Sequence, residues 1–193
     1  KLLYLIRHGR ALHNDNFLKY GEKTFYDPKF KDTRLTSIGH GQSNFLNKNW
    51  KEIHNIDLVL VSPLYRTLQT AENIFKGVNL PIIALEDLRE YPYNSQTCNY
   101  RSNKITIEND FPTINFNNIS VIDEKFNIKE TETINSLDQR ISTIKKYIQN
   151  RKEEKICIVG HSIFLEKMKD NKISLVEKGE KELEHCYPYE YKL

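Results

Sequence analysis

The residues best suited to chemistry in this 193-residue chain stand where apolar runs stop. Leu3-Tyr4-Leu5-Ile6 ends in Arg7-His8-Gly9, and Ile156-Cys157-Ile158-Val159 ends in Gly160-His161-Ser162. A guanidinium is a planar fork of donors suited to phosphate, imidazole serves as nucleophile, base or metal ligand, and glycine lets the backbone turn and a ligand come close. Arg66 follows a third apolar run, Leu58-Val59-Leu60-Val61, in the first turn of the helix that Ser62-Pro63 announces. A cation there opposes the helix dipole, a cost that a bound anion removes. Glu86-Asp87-Leu88-Arg89-Glu90 can supply a proton donor. Two arginines and two histidines gathered at strand ends form a good cradle for a phosphoryl group. They form a poor one for a divalent cation, because no carboxylate cluster accompanies them, and no metal is expected. Gly39-x-Gly41 lacks the third glycine of a dinucleotide fingerprint, and no phosphate-loop glycine-lysine motif occurs.

Such residues meet only if the elements between them bring the strand ends to one edge. Apolar runs of four to six residues closed by turns read as strands covered on both faces, and ligands of open α/β sheets bind beyond the carboxyl ends of such strands. Leu80 to Leu85 is a further strand, near an edge because of Pro81, and Cys186 to Leu193 a final one. Helices are expected from Thr36 or Ser37, the cap, to about Trp50, with Ile38, Phe45 and Leu46 on one face. A second begins at Ser62 and buries Leu64, Leu68, Ala71 and Phe75. A third follows Ile134, Leu137, Ile141, Ile144 and Ile148, and a short one runs from Ile163 to Lys169. Arg10 to Thr33 reads as a long loop over the site, in which His13 is a surface or supporting histidine and Asn14 can donate to a phosphate oxygen. Tyr91 to Lys129 has no sustained periodicity and reads as a structureless lid or specificity segment. The stretch 172–184 is ambiguous. One domain over residues 1–193, carrying that insertion at about 91–129, suits the length.

Composition narrows the partners. A formal charge of +3 with lysines interleaved among glutamates argues against nucleic acid and membrane surfaces, while small anionic substrates remain suitable. No apolar run reaches membrane-spanning length. Cys98, Cys157 and Cys186 are odd in number and lack zinc-site spacing, which points to a reducing, cytoplasmic setting. The chain opens on Lys1 rather than Met, which leaves room for an upstream targeting segment.

Five stretches, in order, carry a resemblance. Leu5-Ile6-Arg7-His8-Gly9, Leu35-Thr36-x-x-Gly39-x-x-Gln42, Val61-Ser62-Pro63-Leu64-x-Arg66-x-x-Gln69-Thr70-Ala71, Leu88-x-Glu90 and Val159-Gly160-His161-Ser162 resemble the histidine phosphatase superfamily, also called phosphoglycerate mutase-like. The resemblance implies a three-layer α/β/α sandwich with a mostly parallel central sheet, and a phosphomonoester hydrolase acting on a small phosphorylated metabolite or a phosphoprotein without a cofactor. It implies that His8 attacks phosphorus, that Arg7, Arg66 and a protonated His161 stabilise the oxygens, that Glu90 is the acid, and that Asn14 contacts phosphate. Ala11 and Tyr91-Pro92 depart from the cofactor-dependent mutases, the alternative. Cys98-Asn99-Tyr100-Arg101 with Phe111-Pro112 looks more like a subgroup of mutase-like phosphatases, with Asn in place of Asp. Arg10 and Arg101 are expected to extend the positive pocket towards a second anionic group, with Ser162 among the substrate contacts. A non-catalytic phosphoprotein-binding module is the third reading, against which the intact set of five catalytic residues argues.

Overall fold

In the computed structural model, which describes residues 1–127, 129–175 and 178–193, the apolar runs become the centre of a five-stranded sheet. Its strands are β1 (Leu2–Arg7), β2 (Leu58–Val61), β3 (Ile82–Ala84), β4 (Lys155–Gly160) and β5 (Pro188–Lys192), in the spatial order β3-β2-β4-β1-β5. The first four run parallel, and β5 pairs antiparallel with β1 at one edge. Pro81 and β3 lie at the other edge, as the proline predicts. Parallel strands need crossovers, and helices supply them.

Alternation along the strands splits the core in two. Tyr4, Ile6, Val59, Val61, Cys157 and Val159 face one layer, with α2 (Ser37–Asn49), α3 (Tyr65–Ile74) and α4 (Lys104–Asp110) on that side. Leu3, Leu5, Leu58, Leu60, Ile156 and Ile158 face the other, against α5 (Ile134–Gln149) and α6 (Ser162–Asp170). The result is an α/β sandwich of three layers. A one-residue slip of any central strand would exchange its faces, so burial fixes the register. That register matters to function, since it sets Arg7 opposite Gly160 and leaves His8 and His161 as the next residues out.

Several boundaries differ from expectation, each for a local reason. The loop over the site holds a helix, α1 (Leu12–Tyr20), followed by 3-10 turns over Gly21–Tyr26 and Pro28–Phe30. Ala11 stands at its cap, where the Ala11 N–H donates to Asn14 Oδ1 at 2.9 Å. In α2 the cap is Thr36, whose Oγ1 accepts from the Gly39 N–H, but Ile38 and Phe45 face outwards. Ile134 of α5 is exposed too. Ser62 does not cap α3, which begins at Tyr65 after Leu64, although Leu64, Leu68, Ala71 and Phe75 are all buried. The insertion is not structureless: it holds α4 and 3-10 turns at Thr97–Asn99 and Lys125–Asn127. Ile128 of that insertion, and Val176 and Glu177 of the ambiguous stretch, lie outside the described residues.

Candidate active site

His8 leaves the end of β1 with its N–H bonded to Gly160 O at 3.0 Å, so the two central strands fix its backbone. Its Nδ1 lies 2.7 Å from Gly9 O. A carbonyl can only accept, so Nδ1 carries the proton and the lone pair stays on Nε2. Burial, followed by the field of Arg66, holds the His8 pKa well below the usual histidine value, so the ring stays neutral. A buried neutral imidazole with an oriented lone pair is a nucleophile in waiting.

The loop after His8 is held by close backbone packing. A Cβ on Gly9 would lie 2.6 Å from Gly39 O, and one on Gly39 would lie 2.2 Å from Arg10 O. Both glycines are therefore required by contact with backbone rather than by turn geometry. Around this contact the Thr36 N–H donates to Arg10 O at 2.9 Å, the Arg10 N–H to Gln42 Oε1 at 2.9 Å, and the Gly9 N–H to Thr70 Oγ1 at 3.0 Å. The Leu35 N–H donates to Gln69 Oε1 at 2.9 Å. Thr36, Gly39, Gln42 and Thr70 thus clamp the segment that carries His8, and Gln69 holds Leu35 next to Thr36.

Three buried nitrogens of neighbouring side chains are left without partners among the described residues. Arg7 Nη1 donates to Leu183 O and Nη2 to Glu182, while Arg66 Nη1 donates to Cys98 O at 2.7 Å and Nη2 to Asn99 Oδ1 at 2.8 Å. In both side chains Nε finds no hydrogen-bond partner among the described residues, and the same is true of His161 Nδ1. Arg66 and His161 are about as buried as side chains can be, at 1% and 0% exposure. Buried polar groups are ordinarily satisfied, so three orphans beside one imidazole mark a place for an acceptor-rich ligand. The His161 ring centroid is 5.3 Å from that of His8, and its Nε2 is 2.8 Å from Ser62 Oγ. Nδ1 is left buried without a hydrogen-bond partner among the described residues, whichever of Nε2 and Ser62 Oγ donates to the other. Burial, followed by the field of Arg66, pulls the His161 pKa well below the usual histidine value.

Glu90 lines the same cavity beside Arg7, His8 and Arg66. Its Oε1 accepts from the Tyr91 N–H at 2.8 Å and the Phe164 N–H at 3.1 Å, and Oε2 from the Ile163 N–H at 3.3 Å, so it is gripped by the start of α6. Burial raises its pKa above the usual carboxyl value, outweighing those three bonds and Arg66. Such a group holds a proton readily at mildly acidic pH.

Asn14 and Arg10 also line the cavity, but both are committed within α1. Asn14 Nδ2 reaches His13 Nε2 at 3.3 Å, and Arg10 Nε pairs with Asp15. Arg101 is not at the site. Fully buried, its guanidinium donates to the carbonyls of Ser102, Ser120 and Ile122 and lies 2.8 Å from Glu86, because the insertion folds around it as a staple. Ser162 does not line the cavity either: its Oγ accepts from the Leu183 N–H at 3.2 Å and holds the C-terminal segment in place.

Sequence reasoning missed three participants. Ser62 looked like a cap because Pro63 follows it, yet its hydroxyl lies 2.8 Å from His161 Nε2 and holds that ring. His185 Nδ1 donates to His8 O at 2.6 Å, and nothing in its sequence neighbourhood signalled this. His13, read as peripheral, is 5% exposed, lines the cavity, and its ring centroid lies 5.9 Å from that of His8.

A mostly parallel sheet that brings a histidine and two buried arginines to one cavity, with a second buried histidine ring 5.3 Å from the first, defines a class of α/β proteins with a phosphate-sized cradle. Residues 3–169 match the histidine phosphatase superfamily (branch 1), and the chain belongs to that superfamily. Phosphoglycerate mutase-like protein 1 of Arabidopsis thaliana is 30% identical over 198 residues, which cover 86% of this chain and 69% of the relative. Phosphomutase-like protein 3 of Candida albicans is 26% identical, covering 84% of this chain and 56% of its own length. Among solved structures, the ecdysone phosphate phosphatase of Bombix mori in complex with tungstate superposes with a TM-score of 0.68 at 14% identity, covering 97% of this chain and 87% of that one. The alpha-ribazole phosphatase of Shigella flexneri gives 0.56 at 22%, covering 86% and 76%. At these identities the two structures speak for the fold.

Proposed function

We propose that the protein is a phosphomonoester hydrolase working through a phosphohistidine on His8. The observation that carries this reading is the set of three unpartnered buried nitrogens, Arg7 Nε, Arg66 Nε and His161 Nδ1, beside an imidazole whose Nδ1 is held by the Gly9 carbonyl, which leaves Nε2 as its nucleophilic atom. His8 Nε2 attacks phosphorus, the ester P–O bond breaks, and its electron pair leaves with the alcohol oxygen, which takes the proton of Glu90. The three nitrogens hold the charge that builds on the equatorial oxygens. Water then attacks the phosphohistidine, gives a proton to Glu90, and releases phosphate and neutral His8. Asn99 bears on this electrostatics: a neutral amide grips Arg66 without cancelling its charge, where the expected aspartate would have offset it.

His8→Ala should lower kcat/KM for 4-nitrophenyl phosphate by at least about 10⁴-fold, the loss typical when a nucleophile that acts as one unit with its site is removed. Acid-labile, base-stable phosphate should appear on the wild-type protein after rapid quenching and be absent from the variant. Hydrolysis retained by His8→Ala, or a phosphoenzyme on another residue, would refute the assignment. The second reading, a mutase, draws on the names of the Arabidopsis relatives. In it the phosphoryl group returns to a second oxygen of a bound monophosphate instead of passing to water, and bisphosphate-primed isomerisation decides between the two.

A further inference from the structure

Resting on the hydrolase reading, we infer that the alcohol half of the substrate is an uncharged, largely apolar small molecule, held by an aromatic wall that α1 and the turn after it present to the cavity. The cavity measures about 460 Å³, far more than a phosphate occupies and within the range that accepts a drug-sized ligand. Beyond the cradle its lining includes Phe17, Leu18, Phe25, Tyr26, Tyr91 and Pro92, with uncharged Ser95, Gln96 and Thr131 among them. The rings of Phe17 and Phe25 are stacked, with centroids 5.1 Å apart and planes within 12°. Both side chains are half-buried, so their remaining faces are open to a ligand.

Charge along the same surface points the same way. A substrate with a second anionic group needs a second cation, and the lining offers little. Arg10 is paired with Asp15, and Arg7 has its Nη2 on Glu182 at 2.9 Å. Glu22 and Glu182 add carboxylates to the wall, and no lysine lines it among the described residues. Arg101, the cation expected to reach a second anion, is sequestered under the insertion. The remaining candidates, His13 and His185, are held neutral by burial and by the neighbouring arginines. A carboxylate or second phosphate would therefore lie unpaired against rings and acids, which is costly, whereas an apolar body gains by covering Phe17 and Phe25.

The test compares primary alkyl esters, whose leaving groups are chemically alike: 3-phenylpropyl phosphate, glycerol 1-phosphate and 3-phosphoglycerate. The expected result is a kcat/KM for 3-phenylpropyl phosphate about 100-fold above that for 3-phosphoglycerate, with glycerol 1-phosphate between them. Phe17→Ala and Phe25→Ala should each lower the ratio of phenylpropyl to glycerol ester by about tenfold, mainly through KM. Equal or better use of 3-phosphoglycerate would overturn the inference and leave the hydrolase standing, whereas hydrolysis of none of the esters or of 4-nitrophenyl phosphate would overturn both. Phenyl phosphate against a phosphotyrosyl heptapeptide separates a free alcohol from a protein side chain. Preference for phenyl phosphate supports a small molecule, and a faster peptide refutes it. The ester comparison on the unmodified protein stands even if a phenylalanine variant fails to fold.

Discussion

At the residue scale, the nucleophile and the acid of the proposed reaction have pKa values shifted towards each other. Burial and Arg66 lower the His8 pKa well below 6.5, and burial raises that of Glu90 above 4.5. As pH falls, His8 stays neutral until its lowered pKa is reached. As pH rises, Glu90 loses its proton only above its raised pKa. The form with neutral His8 and protonated Glu90 is thus most abundant in mildly acidic solution. The kcat/KM for an alkyl phosphate, corrected for the ester's own second ionisation near ~6, should peak below about pH 6.5 and fall on both sides. Glu90→Gln should flatten the alkaline limb and cost about 10²–10⁴-fold in rate with alkyl esters, less with 4-nitrophenyl phosphate, whose leaving group needs no proton. A corrected optimum above pH 7.5, or an unchanged profile in Glu90→Gln, would remove Glu90 from the acid role.

At the element scale, the insertion between β3 and α5 is organised by buried arginines instead of apolar periodicity. Arg89 grips both oxygens of Asp123 at 2.6 and 2.9 Å, Arg140 both oxygens of Glu132 at 2.6 and 3.0 Å, and Arg101 binds Glu86 and three carbonyls. Removing one partner of such a pair strands the other charge in the interior, at about 3–5 kcal/mol. Arg101→Met should therefore lower the unfolding free energy obtained from urea titration by that amount while changing kcat/KM for charged and uncharged phosphates by one common factor. A loss confined to substrates with two anionic groups would return Arg101 to the pocket. The same residue illustrates what a sequence conceals. The central strands were legible, since four to six consecutive apolar residues ending in glycine have few alternatives, and with them came the placement of His8, His161 and Arg66. Arg101 was misread because an arginine in a polar stretch looks like a free cation until Glu86 and the carbonyls of Ser120 and Ile122 are seen to close on it. Helix α1 was missed because Leu12 and Leu18 are exposed and Phe17 only half-buried, so its apolar residues answer to the cavity rather than to a core stripe.

At the scale of the whole molecule, the chain gathers the buried His8, His13 and His161 and the half-buried His185 into one cluster beside Arg7 and Arg66, and all four are driven towards the neutral form. The His185 pKa falls to about 3, chiefly by burial and then by Arg7. Unfolding releases these rings to water, where they titrate near ~6.5. Below that pH the unfolded chain binds more protons than the native one, so stability is fully present above ~6.5 and is lost as pH falls towards the native value, at about 1.4 kcal/mol per pH unit for each such histidine. From pH 6.5 to 5 His185 alone contributes a loss of about 2 kcal/mol, and the other three act in the same direction. The urea midpoint should fall steeply between pH 7 and 5, and His185→Gln should make the slope of unfolding free energy against pH shallower by about 1.4 kcal/mol per pH unit. A midpoint independent of pH over this range would mean that the cluster is hydrated in the native state. Acid that favours the Glu90 proton therefore weakens the fold that holds it. A bound phosphate-like anion stabilises the native state by mass action and pairs with the orphan N–H groups, so vanadate added at pH 5 should recover more stability in the wild-type protein than in Arg66→Met.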